Sequence, residues 1–176
     1  LASSRRSLTS RHSTCKMLFA MCWAHSQPGP IKYWQPLRQH LENVATRAAE
    51  FAAPFHSSEW AHLAGLLHDL GKASSAFQNY LRKSNGLDAS DYDASDKPST
   101  HSGAGAALAL DKYGPVGRLF AYLVAGHHAG LPDWVGGVQP NGALAQRLES
   151  ARDELNAADS WHHHLNLPAH LPSPPR

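Results

Sequence analysis

The sequence predicts a single all-α domain, a helical bundle enclosing a buried metal site. Three observations carry this. Apolar residues recur at helical spacing in several separate stretches. The strongest stretch, Leu63-Ala64-Gly65-Leu66-Leu67-His68-Asp69-Leu70-Gly71-Lys72, is an apolar run that ends in a histidine and a carboxylate side by side. The chain of 176 residues also holds 13 histidines, among them His40 upstream and His101, His127 and His128 downstream, on further helical stretches. Imidazole and carboxylate are the ligand types that borderline divalent metals take.

Leu1 to Lys16 carries Arg5, Arg6, Arg11 and Lys16, several Ser and Thr, and no acid. Such a composition fits a transit peptide, a cloning scar or an upstream misread start. Residues 1–16 are therefore expected to be a non-native or disordered leader outside the fold. Trp23-Ala24-His25-Ser26 follows, then the turn Gln27-Pro28-Gly29-Pro30. His25 is a candidate polar residue near a site, and equally a surface or capping histidine.

The first helix opens near Pro36, a residue suited to the first helical position. Leu37, Leu41, Val44, Ala45, Ala48 and Phe51 fall on one face, and His40 points with them. A lone inward histidine is commonly a hydrogen-bonded core residue; a metal ligand is the alternative. Pro54 ends this helix, and Ser57 or Ser58 can cap the next, with Glu59 in its first turn. From Trp60 to Leu70 the second helix is apolar almost all round, which predicts burial on most sides. A carboxylate at its end is costly unless a metal, Lys72 or an arginine pairs with it. On an ideal wheel Asp69 shares a direction with His62 and Glu59, so a solvated strip is the competing reading. Gly71 is expected to stop the helix as a C-cap residue.

A short helix over Ala73 to Lys83 presents Phe77, Tyr80 and Leu81. Asp88, Asp91, Asp93 and Asp96 lie in a polar loop without calcium-loop spacing, so they read as solvated. Ser99 or Thr100 can cap a third long helix whose inner face is His101, Ala104, Gly105 and Leu108. After Gly114-Pro115, a helix near Val116 to Gly126 is expected to turn Leu119, Phe120, Leu123 and Val124 inward, ending in His127-His128. Adjacent histidines diverge by about 100° on a helix, so both serve one metal only if the helix ends there. Gly130 and Pro132 say that it does. A last helix spans Ala143 to Ala157. From Asp159 the chain holds Trp161, His162, His163, His164, His170 and several prolines, and residues 159–176 read as a disordered tail. The folded domain is thus expected over 17–158.

Formal net charge is +2, which neither requires nor excludes nucleic acid. Cys15 and Cys22 are the only cysteines, so there is no disulfide framework and no zinc-finger spacing. No apolar run approaches the roughly 20 residues of a membrane span.

His40, His68 with Asp69, His101, His127 and His128 are the candidate ligands, supplied from separate helices as bundles build metal sites. One divalent ion makes hydroxide available near neutral pH, and a second clamps a phosphate. Lys72 stands where it can neutralise phosphate charge. The histidine-rich set favours Mn, Fe, Co or Ni over Mg.

The order of these blocks resembles the HD superfamily of metal-dependent phosphohydrolases. It can be narrowed. Trp23-Ala24-His25-Ser26, Pro36-Leu37-x-x-His40-Leu41, Leu66-Leu67-His68-Asp69-Leu70-Gly71-Lys72 with Phe77-Gln78-x-Tyr80-Leu81, His101-Ser102-x-x-Gly105 and Ala125-Gly126-His127-His128-Ala129-Gly130-Leu131-Pro132-Asp133 occur in sequence. Together they resemble the HD nuclease domain of the CRISPR-associated helicase-nuclease of type I interference systems. The resemblance implies an HD-domain helical bundle that cuts single-stranded DNA with one or two divalent metal ions. It implies a helicase domain or subunit and an RNA-guided surveillance complex as partners, in the prokaryotic cytoplasm. It assigns His40, His68 and Asp69 to one metal, His101, His127 and His128 to another, Asp69 and Lys72 to catalysis, and Lys72 and Ser102 to substrate phosphate. Enzymes of this type carry a late aspartate on a further apolar helix; Asp153 and Asp159 lack that context, which predicts a domain cut short or a small variant. No phosphate-binding Gly-Lys-Ser/Thr loop of a helicase is present. Competing readings are an HD phosphohydrolase of nucleotides or small phosphate esters, and a non-catalytic helical interaction module.

Overall fold

The structure, a computed structural model, describes residues 21–87, 101–128, 130–136, 143–157 and 161–174. The predicted leader, the aspartates 88–96 and the cap at Ser99 or Thr100 lie outside them. Six α-helices stand among the described residues: α1 Leu37–Ala52, α2 Ser58–Leu67, α3 Ser75–Lys83, α4 Gly103–Tyr113, α5 Gly117–Gly126 and α6 Leu144–Ala157. A short ribbon precedes them, with β1 Trp23–His25 antiparallel to β2 Gln35–Pro36 and partners Trp23↔Pro36 and His25↔Gln35. The molecule is the helical bundle that the sequence predicts.

Pro36 is the residue before α1 rather than its first turn, and Leu37 donates its amide to Cys22 O at 2.7 Å, docking the helix start to the ribbon. The buried stripe is Leu37, Leu41 and Ala45. Phe51, at the end of the expected stripe, is exposed. Helix α2 packs against α1 so closely that a Cβ on Gly65 would lie 2.5 Å from Ala45 Cα. Ser57 flanks α2, but its hydroxyl donates to Phe55 O and caps nothing.

Helix α4, not α2, is the most enclosed element: Ala104 to Ala109 are all buried. Its small residues let other backbones approach, and a Cβ on Gly105 would meet Leu67 O at 1.8 Å. Helices α2, α5 and α6 pack around it. On α5 the inward residues are Phe120, Ala121, Val124 and Ala125. Leu119 and Leu123 are half exposed, against expectation: a helix apolar on two faces gives periodicity nothing with which to choose. Trp60 stacks on Phe120 with centroids 5.3 Å apart. A second, small cluster of Trp23, Trp34, Phe77 and Leu81 lies under the ribbon.

The tail also departs from expectation. Trp161–His164 forms a 3-10 turn, and Trp161 and Leu165 are buried in the main core. Trp60 Nε1 donates to Ser173 O and Tyr113 Oη to Pro168 O, both at 2.9 Å. Two large apolar side chains four residues apart anchor a segment whose His and Pro content alone suggests disorder. His163, His164 and His170 are exposed.

Candidate metal centre

The second helix ends one residue before the His-Asp pair. Helix α2 stops at Leu67, His68 follows in αR conformation, and Leu70–Ala73 forms a 3-10 turn. This break swings Asp69 off the wheel direction of Glu59 and His62, and the carboxylate is 3% exposed. Gly71 lies inside the 3-10 turn, and its φ is not in the left-handed region. It is no C-cap; it is small because the backbone of His101 passes beside it, 2.4 Å from where a Cβ would stand.

Three other helices bring imidazoles to Asp69. His40 projects from the first turn of α1, His101 precedes α4, and His127 and His128 follow α5. On one side, His40 Nε2 stands 3.0 Å from Asp69 Oδ2 and His68 Nε2 3.2 Å, with 3.1 Å between the two nitrogens. On the other, His101 Nε2 and His127 Nε2 approach Asp69 Oδ1 at 3.4 and 3.3 Å, and His101 Nε2 lies 2.8 Å from His128 Nε2. One carboxylate is thus shared between two sets of imidazoles. Ligand atoms of Asp69, His101, His127 and His128 all lie within 4.8 Å of one another, as do those of His25, His40 and Asp69.

The protonation pattern fits a cation. His68 Nδ1 donates to Gly65 O at 2.7 Å, and His127 Nδ1 donates to Val124 O at 2.6 Å. A neutral imidazole with its proton fixed on Nδ1 presents a lone pair at Nε2. Both Nε2 atoms face the carboxylate, and facing nitrogen pairs such as His40–His68 leave lone pairs opposed unless a proton or cation lies between. Asp69 Oδ1 is buried and makes no hydrogen bond. The cluster could hold a metal ion, and carbonyls placed as those of Gly65 and Val124 are here are the kind that orient ligating histidines.

Charge behaviour follows from the same crowding. Burial opposes ionisation of Asp69, but its contacts with His127, His40 and His68 outweigh that and hold the carboxyl well below the usual range. Burial pushes His101 down to about 4 despite the pull of Asp69. His127 is held above its ordinary value by Asp69, against its own burial.

Lys72 is buried, with Nζ 2.9 Å from Asp69 Oδ2 and 3.4 Å from His25 Nε2. Ser102 is buried at the start of α4, beside His101. His25, for which the sequence left a surface role open, belongs to the cluster: its ring meets that of His40 edge-on at 4.9 Å. A three-residue strand has too little period to signal this. Asp153 is exposed on α6, and Asp159 is outside the described residues. His162 is half-buried away from the centre, lining a separate cleft with Asp111 and Lys112. No helix among the described residues is long and apolar enough to cross a membrane.

The family model described as Cas3, HD domain, matches residues 23–170. No curated protein matches the chain significantly. The match takes in β1 with His25 at one end and the packed Trp161 turn at the other, so the ribbon and the first part of the tail lie within it. The histidines and the carboxylate gathered here sit inside that span, and the chain belongs to the Cas3 HD domain family, the CRISPR-associated branch of the HD hydrolases.

Proposed function

We propose that the chain is a metal-dependent nuclease that hydrolyses phosphodiester bonds of single-stranded DNA in CRISPR interference. The observation that supports this most is the division of Asp69 between two imidazole sets, His40 and His68 at Oδ2 and His101, His127 and His128 on the side of Oδ1. A pair of divalent ions, Mn, Fe, Co or Ni in preference to Mg, supplies hydroxide near neutral pH and charge neutralisation at a phosphate when bound there. The chain does the rest. His40, His68 and Asp69 would hold one ion, and His101, His127 and His128 the other, with the Asp69 carboxylate beside both sets. The carbonyls of Gly65 and Val124 fix the ligating tautomers. Lys72 offers an ammonium beside Asp69 for substrate phosphate, and Ser102 a hydroxyl beside His101.

His25, His127 and His128 face solvent, so the centre lies at the surface rather than in a closed pocket. An open site suits a polymer better than a nucleotide. The natural partners are a helicase domain or subunit and an RNA-guided surveillance complex that exposes single strands, in the prokaryotic cytoplasm. Incubating circular single-stranded DNA with the chain and Mn, Co, Ni or Mg tests the reading. Cutting that Asp69→Ala abolishes supports it; a variant that cuts as fast as the parent assigns the activity elsewhere. Hydrolysis of nucleotides with circular DNA left intact would favour a small-ester hydrolase.

A further inference from the structure

Building on the metal centre proposed above, we propose that His25 is a fourth protein ligand of the ion on the Oδ2 side of Asp69. His40, His68 and Asp69 supply three donors there, whereas first-row divalent ions take about four to six ligands. His25 comes from an element that the helices do not provide. Its ligand nitrogen lies within 4.8 Å of the ligand atoms of His40 and Asp69, a group that does not include His68. The ring faces the centre although the residue is exposed, since Nε2 contacts Lys72 Nζ at 3.4 Å.

The strand that carries it is fixed from both edges. On one edge β1 pairs with β2. On the other the Gln78 amide acts as a clamp: Oε1 accepts from Trp23 N at 3.0 Å, and Nε2 donates to Trp23 O at 2.9 Å and Lys72 O at 2.6 Å. One side chain from α3 therefore ties β1 to the turn that bears Lys72. A solvent-facing histidine held this firmly is preorganised for a contact.

Lys72 ties the two groups together. Its ammonium lies between Asp69 Oδ2 and His25 Nε2, a monovalent cation where negative charge and a lone pair converge. With a divalent ion bound, His25 would turn its Nε2 lone pair from the ammonium to the ion, and Lys72 would be left to face substrate phosphate. Gln78 is a positioning residue, acting through His25 and Lys72.

Co(II) titration of the 176-residue chain tests this, followed by calorimetry and by the visible absorption of the bound ion. His163→Ala, His164→Ala and His170→Ala are included throughout, to remove the exposed tail imidazoles. The parent is expected to bind two ions. His25→Ala should weaken one of them roughly 10–100-fold and alter its absorption bands, with the other unchanged. His25→Gln, which keeps a donor, should recover part of the loss, and Gln78→Ala should weaken the same ion less. Circular dichroism without metal checks folding. Two ions bound by His25→Ala and by His25→Gln with parental affinity and spectrum overturn the role of His25 and leave the metal centre standing. A parent that binds no ion overturns both.

Discussion

The amide of Gly71 donates to the carbonyl of His101 at 3.1 Å, and this bond fastens the His-Asp turn to the start of α4. It joins the two halves of the centre through backbone alone. A methyl group at Gly71 would stand 2.4 Å from His101 O, where neither partner has a flexible end to move. Gly71→Ala should therefore cost about 1–3 kcal/mol, as overpacking does, and lower Tm by several degrees. It should also weaken ion binding on the His101 side more than on the His40 side. Calorimetric unfolding and Co(II) titration of the variant check both effects.

Ion binding should stabilise the fold. At a free-ion concentration of about 100 times Kd, each site adds about 2.7 kcal/mol to the native state. Tm should rise with added Mn(II) or Co(II) and fall back on chelation. Asp69→Ala should lose this response. It should also be less stable without metal, because Lys72 is left buried without its carboxylate, a loss of about 3–5 kcal/mol. Differential scanning fluorimetry over an ion series reads both.

Cys22 gives the fold a pH dependence of its own. Burial pushes its thiol up to about 11 from 9.0. Between those values the unfolded chain has lost the proton that the native chain still holds, so stability falls as pH rises through that window. The loss is at most about 2–3 kcal/mol. Urea unfolding at pH 8 and pH 11 should show a steeper decline for the parent than for Cys22→Ala. Parallel curves for the two proteins contradict the assignment.

Trp161 separates a packed tail from a loose one. Its indole is buried in the core, yet its N–H finds no acceptor. Trp161→Ala should cost about 2–4 kcal/mol, at or below the usual range for large aromatic truncations, since the orphan N–H is removed with the ring. Trp161→Phe should be close to neutral. Chemical denaturation of both variants tests this, and two neutral substitutions would mean that the tail does not pack.

The bundle and most of its centre were legible because they depend on short-range spacing. Leu37, Leu41 and Ala45 mark the inner face of α1, and His40 on that face points where they do. His68, Asp69, His101, His127 and His128 stood at helix ends or starts, marked by the residues that stop helices. What could not be read depends on contacts between distant segments. The role of Gly71 exists only because His101 passes beside it. The place of His25 depends on a clamp that Gln78 of α3 forms on the free edge of β1. Leu119 and Leu123 were misplaced because an apolar helix offers more than one inward face. The tail was misread because Pro and His dominate its composition, while Trp161 and Leu165 decide its packing.

The most direct test of the central claim is anomalous diffraction from crystals of the chain grown with Mn(II). Two peaks should flank the carboxylate of Asp69, one beside His40 and His68 and the other beside His101, His127 and His128. Peaks confined to the His162–His164 segment, or no anomalous density at Asp69, would contradict the shared-carboxylate centre and the nuclease chemistry proposed for it.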